Sequence, residues 1–374
     1  MPKKRYLNQF SIYVILLLSV HTSYKVQAQW QIIDVGTKSN MRAVQAISPT
    51  ICWIGGSNGT ILKTQNGGKT WITYRVPHAD SLDFRDIHVF DKQNALAMSA
   101  GLSQDGKAKI FRTEDGGEHW NIVYETSQVG VFLDGMAFWD KNTGICQGDP
   151  IEGRFFVLKT MDGGKTWQEL PVNDRPLALP NEASFAASGT SLVANGKGEA
   201  YIGTGGAKFA RIIKTMDYGK TWTHQETPLE ANATSGIFGL HFWSKNNGIA
   251  VGGDYKATSQ EGKNVLTTID GGESWQLQSA TKPAGLKECV QVYHKTNKTW
   301  NGSTQIRSDN KALVAVGPSG SSFSLNHGSS WIALGTEAFH AVSFAGNTGY
   351  AVGGSGLIGK IKIIPSRRWK KKTY

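Results

Sequence analysis

Ten side chains have types and positions suited to chemistry. Arg42, Arg85 with Asp86, Asp134 and His340 each fall at or near the start of a short apolar run of β character. Asp149 and Arg154 flank a turn, Glu182 precedes another apolar run, and Asp254 with Tyr255 opens a long loop. Brought together, they would line a polar funnel. Paired arginines and carboxylates suit a carboxylated ligand, a sugar or a peptide. Two of the acids, chosen from Asp86, Asp134 and Asp149, would also serve as general acid and base on a glycosidic bond. The competing reading is that these groups are solvated or paired with one another. Metal chemistry has no support, because no Cys-x-x-Cys or His-rich spacing occurs. Cys52, Cys146 and Cys289 each sit in an apolar, strand-like run and read as buried free thiols rather than a disulfide framework. No cofactor is expected. Gly203-Thr204-Gly205-Gly206 lacks the third glycine and the βαβ setting of a dinucleotide site.

The elements that must position these residues are announced by a repeat. Six times the chain reads Ser/Thr-x-Asp/Asn-x-Gly-x-x-Trp, from Thr64 to Trp71, Thr113 to Trp120, Thr160 to Trp167, Thr215 to Trp222, Thr268 to Trp275 and Ser324 to Trp331. Successive tryptophans lie 49, 47, 55, 53 and 56 residues apart. Periods of about 40–50 residues fit one four-stranded propeller blade each. The box is expected to be the turn between the third and fourth strands. Its acid or amide (Asn66, Asp115, Asp162, Asp217, Asp270, Asn326) caps the backbone, and its Trp (Trp71, Trp120, Trp167, Trp222, Trp275, Trp331) opens the next strand. Asn66 and Asn326 favour a structural role, since a cap survives the change to amide and a general acid does not.

Between boxes the pattern recurs: Arg85 to Phe90, a turn, then Ala95 to Ala100; later Gly239 to Trp243, a turn, then Gly248 to Gly252. A seventh unit begins at Phe339 and runs to Ile364 without a box or a fourth strand. Trp30-Gln31-Ile32-Ile33 resembles the strand that follows a box. The expectation is therefore an all-β, seven-bladed propeller of four-stranded antiparallel blades, with the N-terminal strand closing the last blade. Antiparallel blades put the boxes and the first-to-second turns on one face. The longer, variable loops, such as Pro171 to Glu182 and Gly253 to Asn264, fall on the other face, where binding is expected.

Residues 1–28 read as a signal peptide. Lys3, Lys4 and Arg5 precede the apolar run Phe10 to Val20, and Val26-Gln27-Ala28 offers a cleavage site. The alternative is an uncleaved anchor; no later run is long and apolar enough to span a bilayer. The expected organisation is a leader over 1–28, a propeller over 29–364 and a basic tail over 365–374, in a monomer exported to the periplasm or the exterior. The formal charge of +11 falls to +7 once the four basic residues of 1–28 are removed, and to +2 without the five of the tail. A nearly balanced body argues against nucleic acid. The tail reads as a solvated end or a contact for an anionic surface.

The boxes resemble the Asp box of sialidases and many other propellers. The runs Lys159 to Trp167, Gly248 to Gly253 and Gly349 to Gly354 resemble the photosystem II assembly and stability factor propellers and their relatives outside phototrophs. That resemblance implies a non-enzymatic assembly scaffold and carries over no binding residue. A sialidase is disfavoured: the nearest match to its Phe/Tyr-Arg-Ile-Pro motif, Phe84-Arg85-Asp86-Ile87, follows the first box and lacks the proline. The expected function is a binding or assembly scaffold for an envelope or extracellular protein or glycan, or a simple adhesion module. The enzymatic alternative is a polysaccharide-active glycosidase or lyase.

Overall fold

The computed structural model describes residues 29–298 and 304–362. The expected leader, 1–28, and the expected tail, 365–374, lie outside the described residues. Seven antiparallel sheets of four strands each form the ring. The inner strands of blades 1 to 7 are Met41–Ala46, Asp83–Val89, Leu133–Phe138, Leu192–Ala194, Ser235–Phe242, Cys289–Lys298 and Phe339–Ala345.

The second strand of each blade has neighbours on both faces of its sheet, so its residues are apolar without alternation. Cys52–Gly56 and Ala95–Ala100 are buried throughout. The core therefore lies between blades. Trp53 and Ile61 of blade 1 pack with Phe84, Phe111 and Trp120 of blade 2, and the same arrangement recurs around the ring. Cys52, Cys146 and Cys289 are buried free thiols in these layers.

Ring closure follows the sequence expectation. Gln31–Ile33 is the outer strand of blade 7 and pairs antiparallel with Ile358–Lys362, Gln31 opposite Lys360 and Ile33 opposite Ile358. Trp30 anchors it, with its indole N–H on Ser321 Oγ at 2.9 Å and its ring 4.9 Å from that of Phe339. Gly359 leaves room for this packing, since a Cβ there would lie 2.4 Å from the Phe339 ring.

Each box folds in one way. In the third blade the Thr160 hydroxyl accepts the Gly164 amide at 2.9 Å and donates to Asp162 Oδ1 at 2.8 Å, while Asp162 accepts the Thr166 amide at 3.0 Å. Asn66 and Asn326 hold the same amides in the first and sixth boxes. Blade 6 departs from its neighbours on the box face. Its first hairpin, Cys289–Lys298 with Thr304–Gly317, stays paired as far as Lys298 opposite Thr304.

Candidate functional site

The expected funnel mouth is not open. After the last strand of blade 3, Gln168–Glu169, the chain runs for more than twenty residues before the short inner strand of blade 4. Pro171, Pro176 and Pro180 deny this run the amides a strand needs. It ends in a series of mostly small residues, 183–190, which lies across the channel as a strap. One short segment meets the inner edges of six blades. The Ser184 amide donates to Asp149 Oδ1 of blade 3 at 3.1 Å, and Ala183 exchanges amide hydrogen bonds with Gly205 of blade 4. The Ala186 carbonyl accepts Arg85 of blade 2 at 3.2 Å, and the Ala187 carbonyl accepts Arg42 of blade 1 at 3.5 Å. The Ser188 hydroxyl donates to the Glu288 carbonyl beside blade 6 at 2.9 Å. The Thr190 carbonyl accepts the Leu240 amide of blade 5, whose Phe238 stacks on Phe185 at 4.0 Å. Only a segment on the axis reaches that many blades. Gly189 is required there: its φ is +73°, and a Cβ would sit 2.4 Å from Asp86 Oδ1.

Beneath the strap lie three carboxylates, Asp86 and Asp134 buried and Asp149 partly so. Asp86 accepts the Ile87 and Met136 amides at 2.7 Å each, yet burial outweighs both and pushes it up to about 7. Asp134 is raised well above the ordinary range, first by burial and then by the charge of Asp149; Arg85 and the Ala186 amide offset this only in part. Neither Asp134 oxygen has a partner at hydrogen-bonding geometry. Asp149 is raised to about 6 by burial, against the Ser184 amide. On the other side of the mouth, Glu288 Oε2 meets His340 Nδ1 at 2.5 Å and Arg42 at 3.8 Å. Burial lowers Arg42, and Glu288 opposes that shift. Arg85 also holds Asp83 at 2.8 Å.

The structure thus gathers Arg42, Arg85, Asp86, Asp134, Asp149 and His340 around one segment, and leaves the other candidates apart. Glu182 is buried against Arg211, accepting its Nε at 2.8 Å and the Thr204 hydroxyl at 2.7 Å. That pair pins the strap's entry and offers no ligand an open carboxylate. Arg154 donates to the Arg175 carbonyl at 2.7 Å beside blade 3. Asp254 caps its own loop, accepting the Thr234 hydroxyl at 2.7 Å and the Lys256 amide at 2.8 Å, and lines a cleft of about 240 Å³ between blades 4 and 5. Tyr255 is half exposed with its ring 6.2 Å from Phe185, at the rim of the strap. Asp83, Glu288 and the strap itself were missed from sequence. Glu288 had a usable signal, a charge immediately before an apolar inner strand, as at Arg42 and Arg85. The strap had none, because Ala-Ser-Phe-Ala-Ala-Ser-Gly has no period. Among the described residues no group of three or more Asp, Glu, His or Cys side chains is arranged to hold a metal.

The relatives agree with this architecture. Residues 22–124 match the family described as photosynthesis system II assembly factor YCF48. The photosystem II assembly lipoprotein Ycf48 of Synechococcus sp. (strain CC9902) is 26% identical over 46% of this chain and 48% of its own length, so the match spans about half of that relative. A solved structure of YCF48 bound to D1 peptide superposes with a TM-score of 0.59 at 16% identity, over 90% of this chain and 97% of that one. Virginiamycin B lyase from Staphylococcus aureus superposes as well, with a TM-score of 0.62 at 12% identity over 90% and 100% of the two chains. At such identities these superpositions speak for the fold alone. Repeat, fold and relatives together make this chain a seven-bladed β-propeller that resembles the photosystem II assembly and stability factors.

Proposed function

We propose that this chain is a non-enzymatic binding and assembly scaffold that holds a segment of a partner protein on the face opposite the boxes, over the strapped channel mouth. The observation that carries this reading is how the charged groups there are disposed. Asp86 and Asp134 lie buried beneath the strap, Asp149 is partly buried and accepts the Ser184 amide, and Glu182 is paired with Arg211, so acid and base are not presented to a glycosidic bond. Arg42 and Arg85 keep 24% and 30% of their side chains exposed at the rim, and Tyr255 stands against Phe185 of the strap. Partly exposed guanidinium groups suit a peptide bearing carboxylates better than they suit a sugar-cleaving pair. The match to an assembly-factor family points the same way. Residues 1–28 would export the chain, with cleavage after Ala28, to an envelope or extracellular partner.

The test is a pull-down from the envelope of the source organism with residues 29–374, beside incubation with a panel of polysaccharides. The expected result is a captured protein that Arg42→Glu with Arg85→Glu releases, and no cleavage product. Product formation abolished by Asp134→Ala or Asp149→Ala would replace the scaffold with a glycosidase or lyase.

A further inference from the structure

The opposite face carries a pattern that the strapped mouth does not explain. The second residue of each box projects from the turn. In blades 1 and 2 it is Gln65 and Glu114. In the next four blades it is Met161, Met216, Ile269 and Leu325, exposed by 68%, 48%, 74% and 54%. Scattered exposed apolar residues are ordinary. Four in register on consecutive blades, at one motif position that the turn itself leaves unconstrained, form an arc on a single face.

Lysines stand between them. Lys141, Lys165, Lys197, Lys220 and Lys245 are exposed on the turns of blades 3 to 5. The aspartates of those turns are tied back into the backbone, Asp140 accepting the Asn142 and Thr143 amides and Asp162 and Asp217 the Thr166 and Thr221 amides, while the exposed Glu273 of the fifth box pairs with Lys214. The lysine ammonium groups end long flexible stems, and so reach further out than carboxylates folded into their turns. Lys141 and Lys165 also line a cleft of about 240 Å³ between blades 2 and 3, beside Met161; Lys165 lies 3.7 Å from Glu114.

We infer that the box face of blades 3 to 6 docks on an anionic lipid surface, with Met161, Met216, Ile269 and Leu325 entering the interface and the lysines meeting lipid phosphates. A protein partner would need a pocket for each of four separate tips. A fluid bilayer admits each tip wherever it falls, and interleaved apolar and basic groups suit the headgroup boundary. This goes beyond the scaffold reading and uses the other side of the ring, so either can fail without the other.

The test is sedimentation of residues 29–374, which hold all the strands, with vesicles of phosphatidylcholine alone and of equal parts phosphatidylcholine and phosphatidylglycerol. The expected result is binding to the mixed vesicles only, weakened at least about tenfold by Met161→Ser, Met216→Ser, Ile269→Ser and Leu325→Ser combined. These residues are exposed, so an unchanged melting temperature will show that the variant folds. The tail is present in every sample and cannot produce the difference. Three results overturn the inference: no binding to mixed vesicles, equal binding by the variant, or equal binding to phosphatidylcholine alone. A protein partner lost by the variant in the absence of vesicle binding overturns it too.

Discussion

Box turns and the channel mouth both place carboxylates against donors, with opposite results. Asp270 sits on the outside of a turn. Against what burial it has, Ser274 and Thr268 hydroxyls and the Ser274 amide hold it at about 2. Asp86 takes two amides at 2.7 Å and still rises to about 7, because the strap and the blade interfaces strip its water. Hydrogen bonds from a few dipoles hold a carboxylate ionised when water assists and fail to do so when it is absent. The box carboxylates therefore stabilise local turns, and the mouth carboxylates burden the fold at neutral pH in a region where the chain also crosses the axis.

The strongest way to break this contrast is to remove the element both faces depend on. Deleting residues 29–34 takes away the outer strand of blade 7 and the Trp30 anchor, a loss of at least about 3–5 kcal/mol from the indole alone. Scattering and circular dichroism should show an aggregating chain; an unchanged melting temperature would mean the ring does not need its closure. Next comes Glu182→Ala, which leaves Arg211 buried without its partner and should cost about 3–5 kcal/mol in urea unfolding. A cost like that of a surface change would show the strap's entry to be loose.

The pH dependence sharpens the contrast directly. Asp86, Asp134 and Asp149 have folded values above the unfolded one, so the folded state keeps protons that the unfolded chain releases. Their contribution is most favourable below about pH 4 and is lost as pH rises through about 6 and 7. Asp134→Asn should remove part of that loss, raising stability at about pH 8 with little change below about pH 4. Melting curves across that range check it, and an equal effect at both ends would count against charge burial. The smallest effects belong to the boxes. Thr160→Ala should cost about 1 kcal/mol, since the Gly164 amide loses its acceptor. Asp162→Asn should cost less than half of that, because Asn66 and Asn326 already do the same work in this chain.

Particular residues show why one region was legible and the other was not. Thr160, Asp162, Gly164 and Thr166 meet one another within seven positions, so the turn they make is written locally, six times over. Trp30 was readable as a strand opener by likeness to those tryptophans, and counting blades put its strand on the last blade; its contact with Phe339 came only from the fold. At the mouth, Arg42, Arg85, Asp134 and His340 were found because inner strands begin there. What they touch was not readable: Arg42 reaches Ala187 and Arg85 reaches Ala186, and nothing in a run of small residues marks it as the axis of a ring.

The sequence by itself determined the architecture of this protein: seven units, their strand order, the turn in each box and the strand that closes the ring. Those features rest on contacts within a turn or between neighbouring strands, whose periodicity and residue types are imprinted on every repeat. Only the tertiary structure decided the state of the charged mouth and the company the box residues keep. Whether Asp134 meets water or a buried neighbour, and whether Met161 lies on the same face as Leu325 more than a hundred residues away, depends on closure of the ring. Burial and long-range juxtaposition are properties of the assembled ring rather than of any one segment of the chain.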